Sequence, residues 1–219
     1  EGLSISNALI HYEDRQAGSS YRLEDFRLES DRITLEEPFQ LEGGAGVKLS
    51  APDMAAVLSW QTQISVDLEQ SQFRLQDLVV EAEVEGEGIK RSLPLKLQAD
   101  VFLDTNQESL EVSELIVSSD SLKLQSTASV NNWSNEGELD ATLALSPWDA
   151  REWLQRLDMT LPEMSDSEAL SNVSAQLTAE GSLSRITVSP LTITLDGSSM
   201  TGDALLNLQS EVPDVQLTL

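Results

Sequence analysis

The side chains able to do chemistry in this 219-residue chain are mostly carboxylates: 38 Asp and Glu stand against 13 Lys and Arg, with one His and no Cys. Without a thiolate there is no cysteine nucleophile and no Cys-held zinc or iron–sulfur cluster. The single imidazole, His11, lies in the alternating run from Asn7 to Tyr12 and has no second His with which to build a multi-histidine metal site. It reads as a structural or surface residue. Two carboxylates can hydrolyse a glycoside when a pocket holds them, but the acids here alternate with apolar residues. Glu81 and Glu83, set between Val80, Ala82 and Val84, show the pattern of a solvated sheet face. Asp196-Gly197-Ser198 with Asp203 is too sparse in oxygen ligands for a calcium loop. Gly43-Gly44-Ala45-Gly46 is not followed by the Lys-Ser/Thr of a phosphate loop and reads as a bend or a point of close packing. The expectation is a protein that is no enzyme and that holds neither metal nor cofactor.

The elements that carry these residues are strands. Apolar residues make up 40% of the chain and charged ones 23%, a globular composition rather than that of an acidic disordered tail. The formal charge of −25 argues against nucleic-acid binding and against electrostatic docking on an anionic membrane. Period-two alternation runs through Ile64, Val66 and Leu68, through Leu93 to Leu103, around Leu122, Leu143 and Leu177, from Leu191 to Leu195 and from Val215 to Leu219. Short turn-forming clusters separate these runs, among them Ala17-Gly18-Ser19-Ser20, Gly86-Glu87-Gly88 and Asn131-Asn132, so the strands form an antiparallel meander.

Four segments break the alternation in the same way, as apolar–x–apolar–x–x–apolar–x–apolar: Tyr21 to Leu28, Phe73 to Val80, Leu110 to Val117 and Ile186 to Ile193. A two-residue gap turns the second half of a strand to the wrong face unless a bulge absorbs one residue. The second gap residue is Asp25, Asp77, Glu114 and Pro190 in turn, none suited to a regular ladder, so four kinked strands are expected. One segment has helical character. Ser146 as N-cap, Pro147 at the first helical position and Asp149 predict a helix carrying Ala150, Trp153, Leu154 and Leu157. Ser165 with Glu168 marks one further turn, so a helical insertion over 146–170 interrupts a single fold unit spanning 1–219. Long kinked strands with one apolar face either close into a packed β-sandwich or curl into an open groove.

The ordered motifs resemble those of AsmA-family proteins. Ile5-Ser6-Asn7-Ala8-Leu9-Ile10-His11-Tyr12-Glu13-Asp14 followed by Tyr21-Arg22-Leu23-Glu24-Asp25-Phe26 is similar to the family's opening stretch. Phe73-Arg74-Leu75-Gln76-Asp77-Leu78 and Leu93-Pro94-Leu95-Lys96-Leu97 are similar to later ones. Ser146-Pro147-Trp148-Asp149-Ala150-Arg151-Glu152-Trp153-Leu154, leading to Leu170-Ser171, resembles the family's short insertion, with Trp148 where Phe is usual and Ala150 where Pro is usual. The resemblance implies a mostly β fold, a long curved antiparallel sheet forming a half-open apolar groove with one short amphipathic helix. It implies a periplasmic segment of a longer Gram-negative envelope protein, joined to the inner membrane by an anchor outside this chain. Phospholipid or fatty acyl chains are the implied partners, moved between inner and outer membrane in support of outer-membrane integrity. The alternative is a scaffold for outer-membrane protein assembly that recruits envelope proteins through open sheet edges.

On that reading the groove floor is drawn from Ile64, Val66 and Leu68, from Leu93, Leu95, Leu97 and Val101, and from Leu143, Leu145, Leu177, Ile193 and Leu195. Trp148, Trp153, Leu154 and Leu157 either cap one end of the groove or pack as an ordinary amphipathic helix.

Overall fold

The computed structural model describes residues 1–14, 18–35, 37–161, 166, 168–209 and 214–218. Among the described residues thirteen strands follow one another: β1 Gly2–Asp14, β2 Ser19–Arg32, β3 Phe39–Ser50, β4 Asp53–Asp67, β5 Gln72–Gly86, β6 Ile89–Asp104, β7 Ser109–Ser119, β8 Leu122–Asn131, β9 Glu138–Trp148, β10 Val173–Ser182, β11 Arg185–Leu195, β12 Ser198–Asn207 and β13 Asp214–Thr218. One helix, α1 Ala150–Arg156, lies between β9 and β10. Each strand pairs antiparallel with the next, in the spatial order β1 to β13, so the described strands form one open sheet with β1 and β13 at its edges. The closed sandwich does not form, because no second sheet stands opposite the first among the described residues. Among the same residues no helix is long and apolar enough to cross a membrane.

The bulges occur where the sequence places them. Asp25, Asp77 and Glu114 have φ of 51°, 51° and 55°, and the Ser189–Pro190 peptide is cis. Register slips at each of the four, against both neighbouring strands. A fifth bulge lies in β1, where Asn7 has φ of 53°. There Leu3, Ile5, Ala8 and Ile10 repeat the same spacing, a signal present in the sequence but hidden by the small Ala8 and by Leu9 beside it. The bulge in β5 is held from both sides. The Thr62 hydroxyl of β4 donates to the Gln76 carbonyl at 3.0 Å, and the Asp77 N–H donates to the Asp100 carboxylate of β6 at 2.8 Å.

The consequence is that every strand stays in phase. Residues paired directly across antiparallel strands share a face, and one row runs Phe39, Ile64, Leu75, Val101, Val112, Ala128, Ala141, Ala179, Val188, Ala204, Leu217 without a polar member. A second row runs Ile5, Leu28, Gly43, Trp60, Val80, Leu97, Val117, Leu124, Leu145, Ala175, Ile193, Met200. On regular strands the two rows are four residues apart, as in Ile64 and Trp60. On bulged strands they are five apart, as in Leu75 and Val80, and the extra residue is the one in the bulge. The opposite face is polar, with Ser65, Arg74, Glu111, Ser129, Asp140, Glu180 and Thr187 in one cross-strand line. Phe102 interrupts that line under the Arg74 guanidinium, 4.4 Å from its ring centre.

Phe39, Ala45, Leu93, Ala99 and Ala179 are the buried apolar residues of the strands, and all five lie on the apolar face. A flat single-layer sheet exposes its two faces alike. Apolar burial confined to one face without a second sheet above it means that this face curls around itself. Gly43 allows part of that curl, because its missing side chain leaves the space taken by the Trp60 ring, which in turn lies 5.9 Å from Phe26.

Candidate lipid-binding face

Eleven of the twelve residues expected to line the groove come together on one surface. Ile64 and Val101 lie in the first apolar row, and Leu97, Leu145 and Ile193 in the second. Val66 pairs with Phe73, and Leu143 pairs with Leu177, on the same side. Leu93 and Leu95 continue the β6 series in the same alternation. Leu195 pairs with Val173 at the end of β11, still on this face but 43% exposed. Leu68 does not belong to it: β4 ends at Asp67, and Leu68 falls in the following turn, 59% exposed. The sequence pattern continued one residue too far because Leu68 keeps the alternation of Ile64 and Val66 while the backbone has already begun the turn capped by Asp67, whose carboxylate accepts from the Gln70 N–H at 2.9 Å.

Most side chains of the face are half-buried rather than buried, which is the state of an apolar surface with no layer above it. The face remains greasy to both edges. Ile5, Ile10 and Tyr12 on β1 are 37%, 57% and 59% exposed, and Val215 and Leu217 on β13 are 61% and 55% exposed. The polar side has depressions of its own. One cavity of about 320 Å³ is lined by Arg27, Glu29, Glu42, Ser59, Gln61 and Glu81, with Lys96 paired to Glu81 at 2.9 Å.

Helix α1 starts later than its start signal implies. Ser146, Pro147 and Trp148 stay in β9, because Trp148 pairs with Val173 of β10. Strand pairing outweighs the local signal, and Asp149 becomes the N-cap, its carboxylate accepting from the Glu152 N–H at 3.0 Å. The second start signal begins at Ser165, which lies outside the described residues; its other member, Glu168, opens a turn over 168–170. The pairing with Val173 sets the Trp148 ring on the apolar face, and Trp153 of the helix meets it edge-on, 5.8 Å away at 87°. Leu154 of the same helix and Leu157, which follows its last residue as the C-cap, are half-buried. The far end of α1 reaches β6, where the Arg156 guanidinium donates to the Ser92 carbonyl and pairs with Asp120. The helix thus lies across one end of the apolar face, above Leu93 and Ser119, which are 7% and 3% exposed.

Titratable groups with displaced pKa values lie beside a bulge, in Glu24 of β2, and at the turns. Lys48 and then Arg22 hold the Glu24 carboxyl below its ordinary value, with contacts of 2.7 and 2.9 Å. The Gln107 N–H and the Gln72 amide do the same for Asp104, and Ser134 does so for Glu108. Asp196 is lowered by the Leu170 N–H at 2.9 Å, with the Asn172 N–H at 3.1 Å also on the same carboxylate. It thereby ties the return from the helical insertion to the β11–β12 turn. His11 faces solvent on β1 opposite Arg22, and among the described residues no three His, Asp or Glu gather in a metal-binding arrangement.

Comparison with protein-family models, with curated proteins and with solved structures finds no match to this chain.

Proposed function

We propose that this chain shields lipid acyl chains along the apolar face of its open sheet and carries phospholipid between the inner and outer membranes of a Gram-negative envelope. The observation that carries this reading is the uncovered apolar face, unbroken by polar side chains in its first cross-strand row from β3 to β13. The resemblance of the sequence motifs to those of the AsmA family supports the envelope setting and a place in the periplasm tethered to the inner membrane.

An acyl chain on this face exchanges water for Leu, Val, Ile and Ala side chains while the headgroup stays hydrated. At about 0.8 kcal/mol per buried methylene, half-burial of a chain of about 16 carbons amounts to roughly 6 kcal/mol before the costs of ordering. That is enough for transient extraction and too little for permanent capture. An aliphatic lining offers no directional contacts, so the chain can slide along it. Native mass spectrometry with lipid extraction on the purified chain tests the reading. Co-purifying phospholipid or fatty acid is expected, and a lipid-free protein that takes up no added acyl probe contradicts it.

A second reading is favoured by β1, a 13-residue edge strand. An edge this long, with no Lys or Pro and only one bulge, accepts a further strand readily, as an assembly scaffold requires. Both readings rest on an open sheet, but only the first needs the apolar face to be occupied by alkyl chains.

A further inference from the structure

The two edges of the sheet differ. β13 offers five residues and opens on Asp214, whereas β1 offers thirteen, and from Gly2 to Tyr12 none of them is Asp, Glu, Lys or Arg. Edge strands are ordinarily protected by charge, by Pro or by a bulge. β1 has only the bulge at Asn7. Leu3, Ile5, Ile10 and Tyr12 lie on the apolar face, Leu9 lies on the other, and all five are exposed. Among the described residues β1 has a strand on one side only, β2.

Charge selects what can pair there. At a formal charge of −25, two copies of the chain repel wherever their acidic surfaces meet. The strip along β1 is different. The strand itself is uncharged over eleven residues, and the polar side of β2 behind it carries Arg22, Glu24, Arg27 and Glu29, two of each sign. A like-charged copy can approach along this strip at little electrostatic cost. A basic partner strand would find no counter-charges on it.

The strand is also complementary to itself. The bulge moves the apolar face from odd positions, Leu3 and Ile5, to even ones, Ala8, Ile10 and Tyr12. Two β1 strands running antiparallel about a two-fold axis therefore match apolar to apolar when the paired residue numbers add to an odd value. The register that covers Gly2 to Glu13 sets Leu3 against Tyr12 and Ile5 against Ile10 on the apolar face. On the other face it sets Ser4 against His11, Ser6 against Leu9 and Gly2 against Glu13, so no charge meets a like charge. Two bulged strands already lie side by side in this sheet, since β1 and β2 pair with their bulges at Asn7 and Asp25 adjacent. The edge of β13 is a poorer partner, because its five residues would leave most of β1 uncovered.

We infer that β1 is the interface for a second copy of this chain, paired antiparallel about a two-fold axis so that the apolar face runs across the junction. The inference rests on the open edge of the second reading above but gives it a different occupant, and it holds whether or not the face carries acyl chains.

The test is sedimentation of the full chain, wild type and Leu9→Glu, with a disulfide check of the register. Leu9, Ser4 and His11 all lie on the side away from the apolar face, so the variants leave acyl binding unchanged. Wild type is expected to be dimeric at about 100 μM, a concentration that fills an interface of micromolar strength. The dimer is expected to tighten between about 0.05 and about 0.5 M salt, because screening relieves the repulsion of like-charged copies. Leu9→Glu should weaken it about tenfold while melting as the wild-type monomer does. The chain has no Cys, so Ser4→Cys and His11→Cys proteins can be oxidised separately and mixed. Cross-strand neighbours are about 5 Å apart at Cα, within disulfide reach, whereas each Cys lies about 23 Å from its own counterpart in the register given. Disulfide dimers are therefore expected in the mixture and not in either protein alone. A chain that stays monomeric at the higher salt overturns the inference and leaves both readings above standing. A dimer without the disulfide in the mixture, or one that a folded Leu9→Glu leaves intact, is paired through other residues and overturns it as well. The two Cys variants add no charge and decide the matter where Leu9→Glu fails to fold.

Discussion

Replacing Leu97 by Ala distinguishes an open apolar face from a covered core. Leu97 lies in the middle of the sheet, on β6, paired with Val80 on one side and Val117 on the other, and it is half-buried. The substitution removes three carbons, worth about 2.4 kcal/mol if fully buried at about 0.8 kcal/mol each, and so about 1.2 kcal/mol at half-burial. No cavity term adds to this, because solvent already reaches the side chain. A Leu to Ala change in a covered core costs about 2 to 5 kcal/mol. Urea unfolding of wild type and Leu97→Ala, followed by circular dichroism and compared at equal m-value, gives the difference directly. A saturating acyl ligand should widen the gap, since wild type gains RT ln(1 + [L]/Kd), about 2.7 kcal/mol at 100 times Kd, and the variant, binding more weakly, gains less. A loss of 3 kcal/mol or more without ligand, together with no ligand effect, would show that the face is covered and refute the reasoning.

Other perturbations probe the devices that keep the face in phase. Thr62→Val removes the hydroxyl that satisfies the Gln76 carbonyl at a position only 5% exposed, and should cost about 1 to 3 kcal/mol in urea unfolding; a neutral result would mean that the bulge needs no support. At Asp77, whose φ is 51°, Gly should be tolerated without loss, whereas Val should destabilise by about 1 to 2 kcal/mol, both read from thermal melts. Gly43→Ala collides with the Trp60 ring, so its tryptophan fluorescence should shift and its melting temperature fall; an unchanged spectrum would contradict the packing described here. Because the folded pKa of Asp196 lies below the ordinary 3.8, its contribution is present above that value and lost as pH falls through the folded pKa. Asp196→Asn should therefore melt lower than wild type at pH 7, with the gap closing in acid, and a gap independent of pH would place the effect elsewhere.

The kinks were legible in the sequence because they violate a strict rule. A strand that must keep Phe73, Leu75, Leu78 and Val80 on one face has to absorb a residue between Leu75 and Leu78, and Asp77 is the one that can take a positive φ. The same logic, applied to Leu3, Ile5, Ala8 and Ile10, gives the bulge at Asn7, which escapes notice because Ala8 is a weak apolar marker. The common facing of the groove candidates was not legible strand by strand, since it depends on cross-strand register, and register depends on every bulge being counted. Ser146 and Pro147 carry a sound helix-start signal, yet the pairing of Trp148 with Val173, 25 positions along the sequence, holds them in β9. The docking of Arg156 at Ser92 spans 64 residues and has no local signature.

Photo-crosslinking along β6 tests the central claim most directly. A crosslinking residue is placed singly at Leu95, Lys96, Leu97 and Gln98, four consecutive positions that alternate between the two faces, and each protein is exposed to a radiolabelled fatty acid. The account predicts labelling at 95 and 97 and little at 96 and 98. Equal labelling at all four positions, or none at any, would contradict an acyl-binding apolar face.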